Sequence, residues 1–218
     1  MVHTTCGAQL AGGHSVTSVG SFLDLVAGRD LVVDEELTGD LAEGERLEGV
    51  TFVGCTLTGR WTAAVLAGCR LEGCTLDGVD LSGARLIDTV LDDCRLVDIR
   101  ALGTAWSTMA RPTIPPDPST WTGCRLDLGA FGGCDLSGAR FERCTFDGAD
   151  LDETVLRGAT FDQCDLAGAR FVRADLREVD LTTSHGYVID PTTNDVRGLR
   201  VDLVGAAGLL HGFGVEVS

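Results

Sequence analysis

Lysine is missing from this chain: all seventeen basic residues are arginine. A GC-rich coding sequence produces that bias on its own, so it excludes nothing by itself. Other shortages exclude more. No apolar run approaches the roughly twenty residues that a membrane-crossing helix needs. The N-terminus, MVHTTCGAQL, has neither the basic n-region nor the apolar h-region of a secretion signal, so the expectation is a soluble, cytoplasmic protein with no membrane partner. Cations are few beside 33 acidic groups, and the formal net charge of −16 argues against nucleic acid, whose phosphates need cations opposite them. It favours a basic partner surface, such as a protein face that itself holds DNA. There is no Ser-His-Asp arrangement, phosphate-cradling glycine loop before a helix, or dinucleotide fingerprint. The expectation is a protein that is not an enzyme, with no catalytic or cofactor-binding residues and no cofactor. Adjacent carboxylates such as Asp92–Asp93 and Asp152–Glu153 read as a solvated face.

What the chain has in abundance is a period. From Cys134 to Phe171 it reads CDLSGARFERCTFDGADLDETVLRGATFDQCDLAGARF, and a bulky apolar residue returns every fifth place: Leu136, Phe141, Phe146, Leu151, Leu156, Phe161, Leu166, Phe171. Five is neither the helical nor the strand period. These central residues run from Trp61 to Trp106, resume at Trp121 and continue to Leu181; all three tryptophans fall on them. Two places before each lies a small residue, such as Cys74, Ala84, Thr89 or Cys144, and two places after it very often a glycine. Two inward residues of unequal size and three outward polar ones describe one side of a coil, and fixed-period repetition is the signature of a solenoid.

The pattern A/C-D/R/T-L/F-x-G over roughly residues 45–183 resembles the pentapeptide-repeat family. The resemblance implies an all-β solenoid, a right-handed quadrilateral β-helix with four pentads per coil. Strand spacing of ~4.8 Å then gives a tower on the order of 30 Å tall. The chain divides accordingly into an N-terminal segment (1–30) with a short helix and partly mobile, the β-helix (31–183), and a C-terminal cap (184–218).

Three departures from the period carry expectations. MARPTIPPDP, residues 109–118, holds four of the five prolines, which cannot donate to a strand ladder. It could replace two sides of one coil or bulge between consecutive sides. Excising it stacks Cys74, Cys94, Cys124, Cys144 and Cys164 in one column, so an insertion at a corner, between the pentads of Trp106 and Trp121, is expected. Trp61 follows Leu57 after only four residues, which predicts a kink or bulge near Gly59. After Leu181 the pattern gives way to a turn, a candidate short helix at about Asp202 to His211, and an apolar strand-like tail from Phe213 to Val217. An open solenoid end needs a cap, and in the resembled family such an element often joins two towers. Leu203, Leu209, Leu210, Phe213, Val215 and Val217 are therefore the expected homodimer interface.

Eight of the nine cysteines occupy the small inward place, where Cys acts as a buried small hydrophobe; free thiols are expected and no metal site. The loose set His3, Cys6 and His14 is discounted as a ligand group, and His185 and His211 are read as making local hydrogen bonds. The sides led by Leu71 and Leu76 come out more acidic than those led by Trp61 and Leu66. The acidic surface is assigned to Asp34, Glu35, Glu36, Asp77, Asp92, Asp93, Asp98, Asp147, Asp162 and Asp165, and a partner-binding loop to Arg111, Pro112, Ile114, Pro115 and Pro116. Topoisomerase-protecting members of the resembled family are acidic dimeric towers that occupy the DNA-binding saddle of gyrase, some with loops that mediate protection from inhibitors. The resemblance therefore implies a DNA-mimicking partner of gyrase. A scaffolding solenoid without gyrase activity is the alternative.

Overall fold

The structure, a computed structural model, describes residues 21–112 and 114–215. The expectations placed on residues 1–20 (including His3, Cys6 and His14), on Val217 and on the His211 side chain lie outside the described residues.

From Ser21 to Arg200 the backbone winds as a β-solenoid of four sides, each joined to its equivalents above and below by parallel pairing. The first side stacks Leu31–Val33, Thr51–Val53, Arg70–Glu72 and Val90–Asp92. The second stacks seven strands, from Glu36–Thr38 through Arg95–Val97 and Thr120–Thr122 to Thr160–Asp162. The third is built of single bridges such as Arg60↔Asp80 and Asp80↔Arg100. The fourth begins with Arg46–Glu48, Val65–Ala67 and Arg85–Ile87. Each three-residue strand buries its middle residue and, Ala67 excepted, leaves its neighbours at least partly exposed, so the central residues of all four sides meet in one axial core. Twenty residues make a turn, as in Thr75↔Arg95 and Thr120↔Arg140. The ladder runs on past residue 183 to Arg200.

Left-handed backbone marks the corners. Glycine usually supplies it, but Asp34, Asp88, Asp93 and Asp98 take φ near +50° at the same place, two after the centre. Aspartate tolerates this region better than most residues. The irregularity expected near Gly59 is a four-residue corner. Gly59 has φ +141°, and a Cβ there would sit 1.9 Å from the Gly39 carbonyl oxygen. Gly39 occupies the same place one coil below, where Leu41 follows Leu37 after four residues. The Trp61 indole closes the joint by donating to the Gly39 carbonyl at 3.0 Å.

The ends differ. Helix α1 (Phe22–Val26), capped by Ser21, places Phe22 over the first coils, its ring 4.7 Å from that of Trp61. Helix α2 (Leu203–Gly212) follows the last coil. The strand-like tail expected from Phe213 is not formed among the described residues: the amides of Phe213 and Val215 both donate to the Leu210 carbonyl, so the chain turns back on the helix.

The segment 109–118 corrects the corner-insertion expectation. Leu96 pairs with Trp121, Arg100 with Arg125 and Ala105 with Ala130, a step of twenty-five residues at this one level. The Ala110 amide donates to Thr89 and the Asp93 amide to Asp117, so the ten residues stand in for a single five-residue side. Every later pentad consequently sits one side further round than complete excision implies. The single cysteine column becomes two. Cys55, Cys74 and Cys94 stack beneath Ser119, and Cys124, Cys144 and Cys164 stack above Ile99. The physical reason is at the central places: five after Trp106 is Arg111 and five before Trp121 is Pro116, and neither can fill an apolar core.

Candidate functional site

Two features of the surface stand out, the charge on the sides and the ten-residue bulge. With the corrected register all four sides are net acidic, the first most of all, which replaces the expectation of two acidic and two near-neutral sides. Twelve of the seventeen arginines are held in ion pairs. Several link successive coils, such as Arg60–Asp40 at 2.6 Å, Arg70–Asp92 at 2.7 Å and Arg200–Asp180 at 2.7 Å. The Arg60 guanidinium holds the Asp40 carboxyl below the usual carboxylate range, and Arg29 does the same for Glu35. With most cations locally neutralised, the surplus carboxylates set the outward field.

The assigned acidic residues do not form one patch. Asp34, Asp92 and Asp93 belong to the first side; Glu36, Asp77, Asp98 and Asp162 to the second; Asp147 and Asp165 to the third; Glu35 lies at the corner between the first two. Asp34, Glu36, Asp77, Asp93, Asp98 and Asp147 are exposed and in no ion pair among the described residues. Glu35 is committed to Arg29, and Asp92 both pairs with Arg70 and accepts the Asp117 amide at 2.8 Å. Asp162 accepts from Thr183 at 2.8 Å, and Asp165 accepts the Ala167 amide at 3.0 Å and lies 3.9 Å from His185.

The bulge presents Arg111, Pro112, Ile114 and Pro115 to solvent, with Ile114 82% exposed at its tip. Beneath it lies a cavity of about 490 Å³, which sequence reasoning missed. At this level the first side lacks its inward residue, so a gap opens between Leu91 below and Leu136 above. Trp106, Trp121 and Phe131 form its inner wall, and Pro115, Pro116 and Pro118 its outer one. The aromatic wall is ordered: Trp106 stacks on Phe131 at 5.5 Å and 7°, and meets Trp121 edge-on at 5.1 Å and 75°. Both indole N–H groups are buried without an acceptor among the described residues, unlike that of Trp61. Arg111 lies over Gly133, where a Cβ would meet its Nη2 at 2.5 Å. Burial pushes the nearby Cys134 thiol up to about 12, against the pull of that guanidinium. The signal available in the sequence was the pair Arg111 and Pro116 at central places.

Eight cysteines are buried free thiols, and no group of His, Cys, Asp and Glu among the described residues could hold a metal ion. No helix among them is long and apolar enough to cross a membrane. At the C-terminal end Leu203 is 90% exposed, and Leu210, Phe213 and Val215 are exposed with it, whereas Leu209 packs against the chain's own core.

The four-sided stack of five-residue units defines the fold class, a β-solenoid, and a family model matches part of the chain. The family model, described as pentapeptide repeats, matches eight copies over residues 62–98, 130–163 and 146–182. No curated protein sequence matches the chain. Among solved structures it is similar to full-length QnrB1, a plasmid-mediated fluoroquinolone resistance protein, at 18% identity and a TM-score of 0.56, covering 85% of this chain and 100% of that one. A trypsin-treated form of QnrB1 aligns at 20% identity and a TM-score of 0.55, covering 86% and 98%. At these identities the likeness establishes the shared fold.

Proposed function

We propose that this protein is a DNA-mimicking partner of a type II topoisomerase, DNA gyrase, and protects it from an inhibitor. The observation that carries the reading is a four-sided rod that is net acidic on every side, its arginines largely tied into ion pairs. Such a rod presents to a cationic DNA-binding groove the sign of charge that duplex DNA presents. The fold shared with a fluoroquinolone resistance protein supports the choice of partner. The exposed bulge projects from the first of these acidic sides as a second contact, and it mediates protection.

The test is inhibitor-induced DNA cleavage by gyrase, run beside a supercoiling assay and titrated with purified protein. Wild type is expected to inhibit supercoiling and to lower cleavage. Reversing Glu36 and Asp77, exposed and unpaired on the second side, to arginine should weaken both effects in a salt-dependent way. No effect of wild type in either assay overturns the reading and favours a scaffolding solenoid.

A further inference from the structure

We propose that the gap beneath the bulge is a binding site for a straight-chain aliphatic carboxylate. Its size, about 490 Å³, falls within the usual range for small-molecule sites. Trp106, Trp121 and Phe131 are 1%, 2% and 0% exposed, so a guest meets neither their faces nor their indole N–H groups. The surface left open is aliphatic. Leu136 forms the ceiling, and among the described residues it is the only central apolar residue from Leu37 to Leu181 that is not buried. No inward side chain lies beneath it, because Arg111 and Pro116 stand at the places from which one would come. Val90, Met109 and Pro116, each partly exposed, continue the lining. Three residues of extended backbone span a side, ~10 Å. Carbon–carbon bonds of ~1.5 Å put about eight chain carbons in that length.

The donors of the gap have no acceptor of their own. In regular coils the amide of a central residue donates to the coil above, as Leu136 does to the Val155 carbonyl at 2.8 Å and Leu156 to that of Asp175 at 2.9 Å. The amide one place earlier donates to the coil below, as Val155 does to Cys134 at 2.9 Å and Asp175 to Thr154 at 3.0 Å. Among the described residues neither Leu91, on the floor of the gap, nor Asp135, on its ceiling, makes the corresponding bond. The repeat thus aims one amide into the gap from each side, and backbone donors away from water are seldom left unpaired. Arg111 lines the same gap, lies over Gly133 just before Asp135, and is in no ion pair among the described residues. The nearby carboxylates are occupied: Glu153 pairs with Arg173, and Asp135 accepts from the Ser137 amide and hydroxyl at 3.0 and 2.6 Å. Two amide donors and a guanidinium around one space suit a carboxylate, and the aliphatic lining suits the chain behind it. The site is independent of the gyrase reading, since it rests on the interior of the rod and not on its outward charge.

The experiment titrates octanoate into the full chain by calorimetry, and saturable binding is expected. Octanol keeps the chain without the charge and should bind about tenfold weaker. Acetate keeps the charge without the chain and should give no saturable heat. Arg111→Gln should weaken octanoate about tenfold and leave octanol unchanged. Leu136→Trp fills the gap from its ceiling and should abolish binding of both while preserving the circular dichroism spectrum. Should that variant not fold, Ala110→Trp blocks the gap from its lining and should also abolish binding. No saturable response from wild type at millimolar octanoate would overturn the proposal. So would unchanged binding in the filled variant or in Arg111→Gln, or equal affinity for octanol and octanoate.

Discussion

The small inward place is where single residues decide most. Side chains there donate to the carbonyl of a central residue on the coil below: Cys94 to Leu71 at 3.3 Å, Thr89 to Leu66 at 3.2 Å, Ser184 to Phe161 at 3.0 Å, Asn194 to Phe171 at 2.9 Å. Cys124 and Cys144 follow the rule with Leu96 and Trp121. The interchange of Cys with Thr and Ser thus has a donor in common, although a thiol is a weak one. Contact with the Cys124 thiol, together with burial, pushes Cys144 up to about 12, so it is not a ready nucleophile. Replacing Phe146, fully buried against Phe131, Phe141 and Phe161, with alanine should cost ~2–5 kcal/mol in denaturant melts through the cavity left behind. Cys144→Ala loses only a weak hydrogen bond and a small volume and should cost about 1 kcal/mol. Equal costs would mean that the thiol columns, not the central residues, hold the tower. The inward size pattern was legible because volume repeats strictly; the donor role was not, because alanine occupies the same place and hides it.

Single elements depend on register, and here the sequence misleads. A period of five separates inward from outward residues but does not say which of four sides a pentad occupies. Past an irregularity, that assignment rests on a count of residues. The bulge keeps one side's worth of its ten residues and adds five, so complete excision gives a continuous cysteine column on paper and a quarter-turn error in space. Deleting residues 109–118 should therefore separate Trp121 from Leu96 and from Trp106 and lower the melting temperature by several degrees. Replacing residues 109–118 with Thr-Val-Leu-Asp-Asp, the sequence of residues 89–93 on the same side one coil below, keeps every later partner and should melt at or above wild type. Identical melting curves for the two variants would contradict the register. Helix α2 was legible in composition. The chain's return after it was not, since Phe213 reads as strand but lies in a turn closed by the hydrogen bond from its backbone N–H to the Leu210 carbonyl.

At the scale of the whole molecule the two ends are unequal. The N-terminal end is closed by α1, whose Phe22 is fully buried. The C-terminal end leaves Leu203, Val204, Leu210, Phe213 and Val215 in solvent, a clustering that a lone soluble rod has no use for. We propose that two towers meet there. Burying such side chains stabilises by ~1.5–3 kcal/mol each, more than the ordering of a short helix costs. Leu210→Glu or truncation after Asp202 should give a folded monomer by light scattering, and an intact protein already monomeric at micromolar concentration would exclude the dimer. Leu209 is not part of that face, since it packs on its own core.

The bulge also sets how the rod carries load. At its level three sides are laddered without a break, whereas on the first side no backbone hydrogen bond joins residues 111–116 to Asp135–Ser137 among the described residues. A beam braced on three walls and slotted on the fourth has its lowest bending stiffness in the plane through the slot. Flexure therefore concentrates at this one coil and in this one direction, opening and narrowing the slot as the two halves of the tower tilt.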